Sequence, residues 1–104
     1  MNIDWENFLQ YAPAKSVPVV RMIQEEMTEL QCNQGFVSSL EIAEELSLEG
    51  KWDEKVAKLV ERWNEQLKNR TSPYQFEVKF DEQGTGMNWV TVKETEAPRK
   101  EAVA

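Results

Sequence analysis

Hydrophobic positions recur along the chain first at helical spacing and then at strand spacing. Trp5, Phe8, Leu9 and Ala12 follow Asp4 at intervals that predict a short helix over 4–12, with Asp4 as its cap and Pro13 as its stop. Val19, Met22, Ile23, Met27 and Leu30 form one apolar stripe. They predict a second helix over 17–32, capped by Ser16 and tolerating Pro18 in its first turn. Glu26 falls inside that stripe, against the pattern. Asn33-Gln34-Gly35 is a break, and Phe36-Val37 reads as a brief extended stretch. Ser38 and Glu41 then have capping-box spacing at the start of a short helix whose inner face is Ile42, Ala43 and Leu46. After a turn at Glu49-Gly50, Val56, Leu59, Val60, Trp63 and Leu67 predict the longest helix, over 52–69.

The period changes after Thr71-Ser72-Pro73. Tyr74, Phe76, Val78 and Phe80 alternate with Gln75, Glu77 and Lys79, the spacing of a strand with one buried face. The loop from Asp81 to Gly86 turns the chain, and Met87 to Lys93 supplies a returning strand. These elements predict an α+β fold of three to four helices with a C-terminal β-hairpin, a single domain over residues 1–93. Residues 94–104 are charged, contain Pro98 and offer little to bury, which predicts a disordered tail.

The residue inventory narrows the chemistry. The chain has no histidine and one cysteine, Cys32, so neither a Ser-His-Asp triad nor a thiolate–imidazole zinc site can be assembled. Gly84-Thr85-Gly86 lacks the further glycine, lysine and helix of a phosphate loop. Nineteen acids keep carboxylate catalysis formally open, but the expectation is a binding protein, not an enzyme, with no cofactor and no metal. No apolar run is long enough to span a membrane, the opening residues lack a secretory pattern, and the expected compartment is the cytoplasm.

The net charge of −7 is unevenly spread. Residues 1–50 carry two bases, Lys15 and Arg21, against nine acids, whereas residues 51–104 carry ten of each. A local basic surface in the second half is therefore compatible with an acidic chain.

Three helices followed by a hairpin, with Ile42-Ala43-x-x-Leu46-x-Leu48, a turn, and then the helix packed through Val56, Leu59, Val60 and Trp63, resembles the winged-helix superfamily of DNA-binding domains. The resemblance covers roughly residues 17–93 and implies that the longest helix enters the major groove while the hairpin, residues 74–93, serves as the wing. The turn from Glu49 to Asp53 is longer than that family's usual one. The partner implied is double-stranded DNA, and the role that of a regulator of transcription or an accessory factor.

Lys51, Lys55, Lys58 and Arg62 project within an arc of about 60° on the long helix, with Gln66 on the same side and Lys79 on the wing. These are the expected DNA contacts, cations for phosphate or guanine and the amide for adenine. The other reading is a solvated helix face, with Lys58 paired to Glu54 or Glu61 and Arg62 to Glu65.

A second function stays open beside the first. Glu25, Glu29, Glu41, Glu44 and Glu45 lie on two amphipathic helices. They suit a protein-interaction module, including a DNA mimic that occupies a basic groove on a nucleic-acid-binding machine. Trp5, Phe8 and Leu9 have two uses, contact with a second copy in a homodimer or cover for the chain's own core.

Overall fold

The computed structural model describes residues 3–95. Helix α1 (Trp5–Tyr11) starts where Asp4 accepts a hydrogen bond from the Asn7 N–H at 3.1 Å. A 3-10 turn (Ala14–Ser16) follows Pro13 and leads directly into α2 (Val17–Leu30). Ser16 does not cap α2 with its side chain. Its hydroxyl donates back to the Pro13 carbonyl at 2.7 Å and closes the 3-10 turn instead. Helix α3 (Ser39–Leu46) opens with the predicted capping box, the Glu41 N–H donating to Ser38 Oγ at 3.2 Å and the Ser38 N–H to Glu41 Oε2 at 3.4 Å.

The ends of α2, α3 and α4 (Trp52–Asn69) share one geometry. Each is closed by a residue in the left-handed region, Gln31, Ser47 and Thr71, with φ of 51°, 56° and 53°. The next N–H reaches back to Met27, Ala43 and Leu67 respectively, at 3.2, 2.8 and 2.9 Å. This closure ends α2 at Leu30, two residues before the predicted boundary.

Strands β2 (Tyr74–Phe80) and β3 (Asn88–Glu94) form the hairpin, in a register running from Tyr74 opposite Glu94 to Phe80 opposite Asn88. The extended stretch foreseen at 36–37 is strand β1 (Val37–Ser38), paired antiparallel with β3 through Val37–Val90 and Ser38–Trp89. The sheet order is β1-β3-β2, so the fold is α+β: four α-helices among the described residues, with a small antiparallel sheet. Glu94 belongs to β3, one residue past the predicted end of the wing, and the disorder expected further along concerns 96–104, which lie outside the described residues.

One core joins these layers. Phe8 is fully buried between Tyr74 and Phe76, with ring centroids 5.7 and 5.6 Å away, and Trp63 meets Phe76 at 5.6 Å. Trp5 and Leu9 are half-buried against the same cluster, so the apolar face of α1 covers this chain's own core. On the opposite face of the sheet, Thr91 is buried and donates to the Gly35 carbonyl at 2.5 Å. Gly35 is pressed against α2: a Cβ there would sit 2.9 Å from the Ile23 carbonyl and 3.1 Å from Glu26 Cβ. Glu26, on the apolar arc of α2, is half-buried beside this crossing segment.

Candidate nucleic-acid interface

Helix α4 buries Val56, Val60, Trp63 and Leu67, and two polar side chains beside that face fix its rotation. Asp53 Oδ1 accepts from the Asn88 N–H at 3.0 Å and from the Ser39 hydroxyl, joining α4 to β3 and α3. Asn64 bonds both backbone groups of Phe76 on β2. Asp53 and Asn64 therefore mark the flank of α4 that borders the sheet. At about 100° per residue, Lys68, Glu61, Glu54 and Glu65 come next among the charged residues around the helix, then Lys58, Arg62 and Lys55, and last Gln66 and Leu59. The solvent face is thus divided lengthwise, with three glutamates and Lys68 nearest the sheet and a basic strip on the far side.

Lys51, Lys55, Lys58 and Arg62 are all exposed and Gln66 is half-buried. Helical spacing places Lys55, Lys58, Arg62 and Gln66 on one side of α4, while Lys51 precedes the helix as its N-cap with a non-helical backbone. Among the described residues the one ion pair is Lys93–Glu77, at 3.7 Å across β2 and β3. The pairings of a self-neutralised helix face, Lys58 with Glu54 or Glu61 and Arg62 with Glu65, are not formed. Lys55 differs from its neighbours, because its ammonium donates to the Glu49 carbonyl at 2.5 Å and ties down the turn between α3 and α4. That turn runs from Ser47 to Lys51 and includes positive φ at Ser47, Gly50 and Lys51.

Lys79 does not join the strip. The alternation of β2 turns it away from the buried Phe76, toward the side where its ammonium lies 5.8 Å from the Phe36 ring. Phe36, the exposed Phe80 and the half-buried Trp89 line an open depression of about 390 Å³ there.

The acidic residues are also on the surface. Glu25 and Glu29 are exposed one turn apart on α2, and Glu41, Glu44 and Glu45 are exposed on α3, where Glu41 is occupied by its capping box. The hairpin loop adds Asp81 and Glu82 and no cation. Asp81 is bound within that loop: its carboxylate accepts from the Thr85 N–H at 2.9 Å, the Gly84 N–H at 3.1 Å and the Thr85 hydroxyl at 3.1 Å. The Thr85 and Gly84 amides hold its carboxyl below the usual carboxylate range.

One residue that the helical spacing did not single out lies beside the basic strip. Lys15, exposed on the 3-10 turn, shares a groove of about 270 Å³ with Arg62 and Gln66. No local pattern announces this neighbour, because the contact depends on how the 3-10 turn packs against α4.

Among the described residues no group of three or more His, Cys, Asp or Glu side chains is placed to hold a metal ion, and no helix is long and apolar enough to cross a membrane. No family model, curated protein or solved structure matches the chain.

Proposed function

We propose that this chain is a winged-helix-like, DNA-binding regulator or accessory factor that works in the cytoplasm and contacts phosphates through the basic strip of α4. The observation that carries the reading is the state of Lys58 and Arg62, which share one face of α4, are exposed and are free of ion pairs among the described residues. Lys51, at the N-cap of the helix, is likewise exposed and free of ion pairs among the described residues. The order α2, α3, α4 and then an antiparallel hairpin supports the resemblance in the sequence. Because the hairpin loop carries Asp81 and Glu82, contact runs through the helix and the wing tip stands off the duplex. A net charge of −7 opposes long-range attraction to DNA, so binding relies on short-range contacts, and each cation–phosphate contact makes it weaken as salt rises.

Fluorescence anisotropy with a mixed-sequence duplex, titrated at low and moderate salt, tests this reading. The double variant Lys58→Glu/Arg62→Glu abolishes binding if the strip is the interface. Lys55 is left intact because its ammonium holds the Glu49 carbonyl. Undiminished binding by the double variant removes the strip from consideration.

A second reading has its own observation. Glu25, Glu29, Glu44 and Glu45 are exposed without ion pairs among the described residues, and Glu54, Glu61 and Glu65 add an acidic strip on α4. This surface suits a protein partner with a basic groove, which the chain would occupy in place of nucleic acid. In that case Glu44→Lys/Glu45→Lys disrupts the complex and Lys58→Glu/Arg62→Glu leaves it intact.

A further inference from the structure

We propose that the groove between the 3-10 turn and α4 seats a backbone phosphate of duplex DNA, with Lys15 and Arg62 as its cationic rim. The inference rests on the DNA-binding reading and adds to it a contact from a distant part of the chain. Pro13, Leu59 and Trp63 line the groove beneath Lys15, Arg62 and Gln66, and no carboxylate lines it. Cations of one sign above an apolar floor focus the field at the mouth of a cleft, since little water lies behind them to screen it. The three polar side chains are complementary in their donors. Arg62 offers a planar fork matched to phosphate oxygens, Lys15 a compact charge, and Gln66 a neutral N–H donor.

The 3-10 turn holds Lys15 in place. The Ser16 N–H and hydroxyl both donate to the Pro13 carbonyl, at 2.9 and 2.7 Å, so the backbone on either side of Lys15 is tied. Lys15 is one of only two bases in residues 1–50, and it extends the straight strip on α4 into a concave patch. A concave basic patch of this size accommodates one phosphate group, whereas the strip alone offers only a line of charges.

The test is an anisotropy salt series with a mixed-sequence duplex, comparing wild type, Lys15→Gln and Lys68→Gln. Lys68 is exposed on the flank of α4 toward the sheet and controls for loss of one charge. Unfolding midpoints equal to wild type establish that both variants fold. The expected result is a several-fold loss of affinity for Lys15→Gln, with a log–log salt slope shallower by about one, and no change in slope for Lys68→Gln. Equal behaviour of the two variants, with Lys58→Glu/Arg62→Glu still impaired, overturns the phosphate seat and leaves the DNA-binding reading standing. Absence of wild-type binding at low salt overturns both, and Lys15-dependent binding of polyglutamate would then assign the groove to an acidic peptide.

Discussion

The carboxamide of Asn64 on α4 and the peptide of Phe76 on β2 exchange two hydrogen bonds: Asn64 Nδ2 donates to the Phe76 carbonyl at 3.0 Å, and the Phe76 N–H donates to Asn64 Oδ1 at 2.9 Å. Strand β2 is at the edge of the sheet, so these are backbone groups that no further strand pairs. The side chain completes the ladder at that point and sets which faces of α4 look toward the sheet and toward solvent. Asn64→Ala leaves both Phe76 groups unmatched in a half-buried place. The expected loss of stability is about 1–3 kcal/mol in urea unfolding, and a loss below about 0.5 kcal/mol would show that the pair is incidental.

Asp53 plays the corresponding part at the other end of α4, bonding Ser39 on α3 and the Asn88 N–H on β3. Asp53→Ala is expected to cost about 1–3 kcal/mol and to speed hydrogen exchange at the Asn88 amide. Asp53→Asn keeps an acceptor oxygen and should recover more than half of that loss. Equal destabilisation by the two variants would mean that the charge, not the acceptor, matters.

Asp81 gives the hairpin loop a pH dependence of defined sign. The Thr85 and Gly84 amides lower its folded pKa, so its contribution is fully present above the unfolded carboxylate value. That contribution is lost as pH falls through the lower, folded value. Acid titration followed by NMR should move the Gly84 and Thr85 amide resonances together below the usual carboxylate range. In Asp81→Asn the coordinated shift should be absent.

Gly35 lies where the segment before β1 crosses α2. A Cβ would stand 2.8 Å from Met27 Cγ and 2.9 Å from the Ile23 carbonyl oxygen, and the latter is helix backbone that cannot yield cheaply. Displacing Gly35 also disturbs the bond from Thr91 to its carbonyl. Gly35→Ala is therefore expected to destabilise the fold by about 1–3 kcal/mol. A neutral result in thermal unfolding would show that this segment shifts freely.

Thr71 closes α4 with φ of 53°, a conformation costly for a β-branched residue. Thr71→Gly removes a left-handed penalty of about 1–2 kcal/mol and adds about 0.5–1 kcal/mol of chain entropy to be lost on folding. The net expectation is a more stable protein, by up to about 1.5 kcal/mol, read as a higher urea midpoint with unchanged slope. A lower midpoint would show that the Thr71 hydroxyl, which donates to the Arg70 carbonyl at 2.6 Å, outweighs the strain.

The spacing of side chains by itself determined the elements of this protein and most of their buried faces, with Leu30 at the end of the α2 stripe and Phe80 at the end of β2 exposed where the pattern places them inside. Phe8 on α1, Ile42 on α3, Val56, Val60 and Trp63 on α4, and Phe76 on β2 are in the core as their periodicity requires, because helical and strand geometry fix locally which side chains share a face. The capping box at Ser38 and Glu41 was legible for the same reason, being complete within four residues. What borders each exposed face was decided only by tertiary packing. Periodicity made Phe36-Val37 an extended stretch but could not make β1 the third strand beside β3, since the pairing of Val37 with Val90 spans α3, α4 and β2. It aligned Lys51, Lys55, Lys58 and Arg62, but the Asn64 and Asp53 bonds turn Glu54, Glu61 and Glu65 toward the sheet and the basic strip away from it. The alternation of β2 together with the position of Phe36 directs Lys79 away from that strip, and the packing of the 3-10 turn on α4 brings Lys15 beside Arg62. Such neighbours arise between residues far apart in the chain, where no repeat in the sequence records the distance between them.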